Sequence, residues 1–198
     1  MAVITLSREF GSLGMIVAQR VAENLGYRLV GRELINQAAL RSGAPEVALA
    51  VIDELNLLGL TVSSDSIDAY VRAVKAVVDE LAQEGNVVIV GRGGQVILRG
   101  RPDVLCVLMV APQALRIERI AQRQSIPWAA ARAQIEASDR HRRRFLKHFY
   151  NVKWDDPDLY DLVINTASTS ADDASEIICH LARARAPLPF LHLQEPPI

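Results

Sequence analysis

No window of this chain holds the roughly 18 consecutive apolar residues that a membrane-crossing helix needs. Its first residues carry no basic segment leading into an apolar run and a small-residue cleavage site. Neither membrane insertion nor export is expected on these grounds, and a cytoplasmic, soluble protein is the default. Charge of one sign is lacking too: 22 basic and 23 acidic residues leave a formal net charge of −1. The global balance gives no argument for nucleic acid or a membrane as partner, so any electrostatic function has to come from local clustering. Cysteine is scarce. Cys106 lies inside the apolar run VLCVLMV and Cys179 inside the helical stretch SEIICHLA, far apart and without ligand-like spacing. Buried free thiols fit this pattern better than a disulfide or a metal site. There is no internal repeat and no low-complexity linker. The 198 residues, 50% of them apolar, read as one domain with a sizeable core.

What the chain has is a series of short, nearly continuous apolar runs: AVITL (2–6), YRLV (27–30), NVVIV (86–90), VLCVLMV (104–110) and YDLVIN (160–165). Runs without alternation suit strands covered on both faces, as in a parallel sheet. Stretches of helical period separate them. After the first run, Val17, Val21 and Leu25 recur at helical spacing beside Ala18 and Ala22, and Gly26 supplies the stop. Between the second and third runs, 45–60 and 65–84 both read as helices, joined by the turn TVSSDS with Ser64 or Asp65 as cap. The second of these places Ile67, Val71, Val74, Val78 and Leu81 on one stripe. This insertion is too large for a plain crossover and is expected to form a lobe over the end of the sheet. The segment 113–147 reads as mostly helical, 171–185 as a final helix, and the tail APLPFLHLQEPPI (186–198) as irregular. Strands alternating with helices predict an α/β fold, a mainly parallel sheet of about five strands, with ligands at the carboxyl ends of the strands.

Three stretches carry candidate chemistry. In SREFGSLGMI, Gly11 and Gly14 connect the first strand to a helix, whose first N–H groups and dipole favour an anion. A full nucleotide loop reads GxxxxGK[ST], where the lysine neutralises phosphate charge and the hydroxyl helps hold magnesium. Here Glu9 stands at the first glycine position, Met15 at the lysine and Ile16 at the hydroxyl. By pattern alone, the stretch Gly11, Ser12, Leu13, Gly14, Met15, Ile16 is either a phosphate cradle made of backbone or a tight strand-to-helix turn. In VVIVGRGGQVIL, glycines at 91, 93 and 94 allow a sharp turn that presents Arg92 to the same side, placed to grip a phosphate bidentately. The alternative is that Arg92, Arg99 and Arg101 are solvated loop charges. In SDRHRRRFLKHFYNVKW, Arg140, Arg143, Arg144 and Lys147 share one helix face, which either closes over phosphates or is simply solvated. No nucleic-acid recognition motif surrounds that cluster. Upstream, Arg116, Arg119 and Arg123 either extend the positive lid or pair with neighbours on the surface. His141 and His148 could share a face, yet no Cys, Asp or Glu completes a ligand set, so no metal site is expected.

Taken in order, ITLSREFGSLG, LVGRELI, VVIVGRGGQVIL, APQALRIERI and the SDRHRRRF segment ending in KWDDPDLYDLVINTAS resemble the cytidylate kinase-like family of P-loop nucleoside-monophosphate kinases, over about residues 3–183. The resemblance implies a three-layer P-loop NTPase-type sheet flanked by helices. It implies a single P-loop kinase-like domain with a helical insertion at about 36–84, an arginine-rich lid at about 124–156 and an irregular tail at about 186–198. It also implies transfer of the ATP γ-phosphoryl group to a nucleoside monophosphate or related small acceptor, with ATP and magnesium (Mg2+) as cofactors. In this picture the backbone from Gly11 to Gly14 cradles the donor phosphates, and Arg32 and Arg92 hold the acceptor phosphate. Arg140, Arg143 and Arg144 would stabilise charge on the transferring group. The chain departs from the pattern at several positions. Family members read SREFGSGGRE where this chain reads SREFGSLGMI, and commonly have an aspartate before the arginine of RELI, where this chain has Gly31. Cytidylate kinases carry an aspartate after the arginine of the central loop, where Gly93 stands. Two expectations follow: an active nucleotide kinase that draws its charge from arginines, or a nucleotide-binding or regulatory homologue with impaired catalysis. A homodimer built on the helical insertion is compatible with both.

Overall fold

The computed structural model describes residues 2–41 and 64–185. The helix expected at 45–60 and the irregular tail at 186–198 lie outside the described residues, as does the side chain of Ile67. Five strands, β1 (Val3–Arg8), β2 (Arg28–Val30), β3 (Val87–Val90), β4 (Val104–Val110) and β5 (Leu162–Asn165), form one sheet in the order β2-β3-β1-β4-β5. Every pairing is parallel, with Val3 opposite both Val87 and Val104.

The unbroken apolar runs arise because successive residues serve two different cores. Val87, Ile89, Val104, Cys106 and Leu108 pack in one layer with Tyr70, Val74 and Val78. Val88, Val90, Leu105, Val107 and Met109 pack in the other with Val17, Val21 and Ile178. Helices α1 (Gly14–Leu25) and α7 (Ala171–Ala184) thus cover one face. Helix α3 (Ser64–Glu84) covers the other, burying Val74, Val78 and Leu81 of the expected stripe together with Tyr70 and Val77. Helix α2 (Arg32–Arg41) joins α3 through the Tyr70 hydroxyl, which donates to Asn36 Oδ1 at 3.1 Å. A single turn, α4 (Gly94–Ile97), follows β3.

Two expectations need refinement. The helical segment after β4 is divided into α5 (Gln113–Gln124) and α6 (Trp128–Tyr150), because Ser125 turns left-handed (φ 53) and Pro127 caps the second helix. The two pack on a small core of their own, Ile117 and Ile120 against Ala131 and Ile135. The run YDLVIN, expected to be covered on both faces, is an end strand of the sheet: in β5 Ile164 is buried while Val163 is 50% exposed. Both cysteines are free and buried, and burial raises the pKa of each thiol. Among the described residues, no helix is long and apolar enough to cross a membrane.

The connection after β1 leads outward to β2, whereas the one after β3 crosses β1 to reach β4. Connections diverging from the centre in this way open a crevice at the carboxyl ends of β1, β3 and β4.

Candidate active site

A cavity of about 520 Å³ lies in that crevice, within the size range of small-molecule sites. Its floor is the turn between β1 and α1. Gly11 (φ 86) and Leu13 (φ 61) are both left-handed there. A Cβ on Gly11 would stand 3.0 Å from the Arg116 carbonyl oxygen, so the close approach of α5 requires glycine. Leu13, where the family pattern has glycine, holds a conformation that costs a residue with a Cβ about 1 kcal/mol. Buried Ser12 donates its hydroxyl to the Glu9 carbonyl at 2.9 Å and closes the turn. Leu13 caps α1 without a side-chain hydrogen bond, leaving the first N–H groups of the helix without a side-chain cap. Leu13, Gly14, Met15 and Ile16 line the cavity, the last two as exposed apolar side chains.

Beneath the turn is a buried ionic network. Glu9 accepts the Ala111 N–H at 2.9 Å and lies 3.3 Å from Arg116 Nε. Arg116, whose side chain is 6% exposed, donates through Nε to the Ala111 carbonyl (2.9 Å) and through Nη1 to the Phe10 carbonyl (3.2 Å) and Asp139 Oδ2 (2.8 Å). Asp139, on α6, also accepts the Phe10 N–H at 3.5 Å. The backbone of Phe10 is therefore held by one residue of α5 and one of α6. Arg116 belongs neither to a positive lid nor to the surface, the two places the sequence allowed it. Arg119 is likewise committed inward, donating to the Thr166 carbonyl (2.7 Å) and hydroxyl (2.9 Å), and burial lowers its pKa. Arg123 alone of that trio lines the cavity.

The turn after β3 forms the second wall. Arg92 is left-handed (φ 55), 8% exposed, and donates from Nε to Asn36 Oδ1 at 2.9 Å. Its guanidinium carbon stands 5.3 Å from the Phe145 ring centroid, within cation–π range. It lines the cavity, as does Arg32 at the start of α2, so the loops around the two expected acceptor arginines converge. Gly93 (φ 74) is covered by Tyr150: a Cβ there would fall 2.4 Å from the ring, and the Tyr150 hydroxyl donates to the Arg92 carbonyl at 3.2 Å. An aspartate at position 93 has no room unless Tyr150 moves.

Helix α6 forms the third wall. It turns Ser138, His141, Arg142, Phe145 and Leu146 to the cavity, whereas Arg140, Arg143 and Arg144 are exposed and do not line it. The rotation of the helix is set by burial of Ile135, Asp139, Phe145 and Leu146, which places Arg142 inward and the flanking arginines outward. Sequence reasoning missed Arg142. The available signal was its spacing of three from both Asp139 and Phe145. Burial lowers the pKa of Arg142, with Asp139 (3.7 Å) opposing the shift. The guanidinium groups of Arg142 and Arg143 lie 6.0 and 5.8 Å from the ring of Trp154, which is also part of the lining.

Tyr160 underlies this wall. Its hydroxyl donates to the Trp154 carbonyl at 2.7 Å and accepts from Gln95 Nε2 at 3.4 Å, and burial pushes its pKa up to about 12. An acid whose pKa is higher in the folded than in the unfolded chain stabilises the fold fully below the unfolded value, near 10 for tyrosine. That contribution declines above pH 10 and is lost as pH rises through about 12. Unfolding free energies measured across alkaline pH should fall less steeply in Tyr160→Phe than in wild type; parallel curves would contradict the assignment.

The two cofactors implied by the resemblance fit unequally. Uncapped N–H groups and arginines suit phosphate oxygens. For magnesium the loop lacks its usual side-chain ligand, since Ile16 occupies the hydroxyl position. A magnesium ion here would be held chiefly by phosphate oxygens and water, without the loop hydroxyl.

The sheet order, with helices on both faces and a glycine turn after the central strand, defines a P-loop NTPase-type α/β fold. The same fold is seen in an uncharacterized protein from Eubacterium ventriosum (TM-score 0.72, 22% identical, covering 93% of this chain and 99% of that one). It is also seen in shikimate kinase from Acinetobacter baumannii (TM-score 0.51, 16% identical, covering 95% and 96%). Within that class, the model of the Cytidylate kinase-like family matches residues 3–168, and the chain belongs to this family. Cytidylate kinase from Pyrobaculum islandicum is 30% identical over 179 residues, 89% of this chain and 90% of that protein. Family and fold together support a nucleotide-kinase-like function.

Proposed function

We propose that the cavity binds nucleotide and that the protein transfers the γ-phosphoryl group of ATP to a nucleoside monophosphate or related small acceptor. The observation that carries this reading is the convergence of Arg8, Arg32, Arg92, Arg123 and Arg142 on one cavity where, among the described residues, the only lining carboxylate, Glu9, is already engaged by Ala111 and Arg116. Such a concentration of guanidinium groups suits a ligand with several phosphate charges. An acceptor oxygen forms a bond to the γ-phosphorus as the bond to the β-phosphate oxygen breaks, and ADP leaves with the electron pair. The backbone from Gly11 to Gly14 holds donor phosphate, Arg32 and Arg92 hold the acceptor, and Arg142 stabilises charge on the group in transit, ahead of the outward Arg140, Arg143 and Arg144. Gly31 and Gly93 supply no carboxylate for reading an acceptor base, which favours an acceptor other than CMP.

A second reading, a nucleotide-binding homologue with impaired turnover, draws support from the exposed apolar Met15 and Ile16 in the phosphate loop. Formation of ADP from ATP, followed across nucleoside monophosphates on folded protein alongside ligand-induced thermal shifts, separates the two. Turnover with any acceptor supports transfer, and stabilisation without turnover supports the second reading. A protein neither stabilised by nucleotide nor active would sink both.

A further inference from the structure

Positive charge on the donor side of the cavity has to come from a residue other than the one at position 15, since Met15 and Ile16 are apolar and 45% and 39% exposed. Arg8 ends β1, directly before the loop. Its stem lies against the start of α1: a Cβ on Gly14 would stand 2.5 Å from Arg8 Cβ and 3.0 Å from Cγ. Its guanidinium reaches the turn after β3, where Nη1 is 3.1 Å from the place a Cβ on Gly91 would occupy. Glycine at 14 leaves room for the stem there, and the guanidinium lies close over Gly91. Arg8, Gly14, Gly91 and Arg92 all line the cavity. The side chain therefore runs from the start of α1 to the loop that carries Arg92, with its guanidinium over Gly91. An anion held on the first N–H groups of α1 would lie in the same cavity as this guanidinium.

We propose that Arg8 is the phosphate-binding cation of the donor site, supplying from the strand side of the loop the charge that a lysine at position 15 would supply from the helix side. This rests on the nucleotide-binding reading above. The planar fork of a guanidinium can bridge two phosphate oxygens, which suits a position between donor and acceptor.

Calorimetric titration of the full chain with ADP and with inorganic tripolyphosphate tests the assignment. Arg8→Met, which keeps most of the stem, is expected to weaken both ligands by a similar factor, roughly ten- to a hundred-fold. Adding Met15→Lys to that variant is expected to restore most of the loss. The gain should exceed that of Met15→Lys in the wild-type background, because both cations serve the same phosphates. Thermal unfolding without ligand checks that each variant is folded, and Arg8→Gln replaces the methionine variant should the latter fail. Unchanged affinity in a folded Arg8 variant, or equal gains from Met15→Lys in both backgrounds, overturns the assignment and leaves nucleotide binding standing. Wild-type protein that binds neither ADP nor tripolyphosphate overturns the functional reading and the assignment with it.

Discussion

Arg116→Met is expected to cost the fold about 3–5 kcal/mol, the range for removing one partner of a buried ion pair. Methionine approximates the volume of the stem but abandons Glu9 and Asp139, and it leaves the carbonyls of Phe10 and Ala111 without the donor they have now. The penalty is chiefly one of desolvated charge, not of lost packing. A triple variant, Glu9→Gln with Arg116→Met and Asp139→Leu, should therefore recover much of the stability that the single change removes. Denaturant midpoints of the two variants measure this, and a single variant within about 1 kcal/mol of wild type would show that the network is not buried as described. The consequence for the site is local. Because Asp139 and Arg116 hold the N–H and carbonyl of Phe10, the single variant should also blur the loop and weaken ADP binding.

Met15→Lys is expected to tighten ADP by up to about 1.5 kcal/mol, roughly ten-fold in Kd, the lower end for a charge-assisted hydrogen bond to phosphate because Arg8 already serves the same phosphates. The side chain at 15 already lines the cavity and is 45% exposed, so the change disturbs no core packing. Without ligand the sign reverses. A new cation in the first turn of α1 opposes the helix dipole by about 0.3–1 kcal/mol, so the free variant should melt slightly below wild type and the ADP-bound variant above it. A variant with unaltered affinity would mean that phosphate does not lie over this turn, and the cradle reading of 11–16 would fall.

Much of the fold was legible because the pattern that specifies it is local. VLCVLMV is both the expected fourth strand and the observed β4, and Val17, Ala18, Val21 and Ala22 are the buried stripe of α1. Such runs carry their own period, and a residue needs no knowledge of distant partners to obey it. The site was less legible. Arg92 lies at the cavity on its glycine-flanked turn, whereas Arg140, Arg143 and Arg144 do not line it, since spacing says which arginines share a face and not where that face points. The packing of Tyr150 on Gly93 left no trace in either local pattern, because it joins the end of α6 to the turn after β3.

By itself the sequence determined the five strands, the first and last helices and the one before the third strand, the glycines of the two turns and the absence of charge at position 15, all properties of short segments governed by backbone sterics and hydrophobic period. Tertiary structure alone decided which arginines line the cavity and which support its walls. Arg116 and Arg142 both contact Asp139, yet one is enclosed by carboxylates and carbonyls and the other faces the crevice. A guanidinium has no intrinsic preference between these fates; the choice follows from the rotation of α6 on its buried side chains and from the turn at Phe10 that brings β1 beneath it.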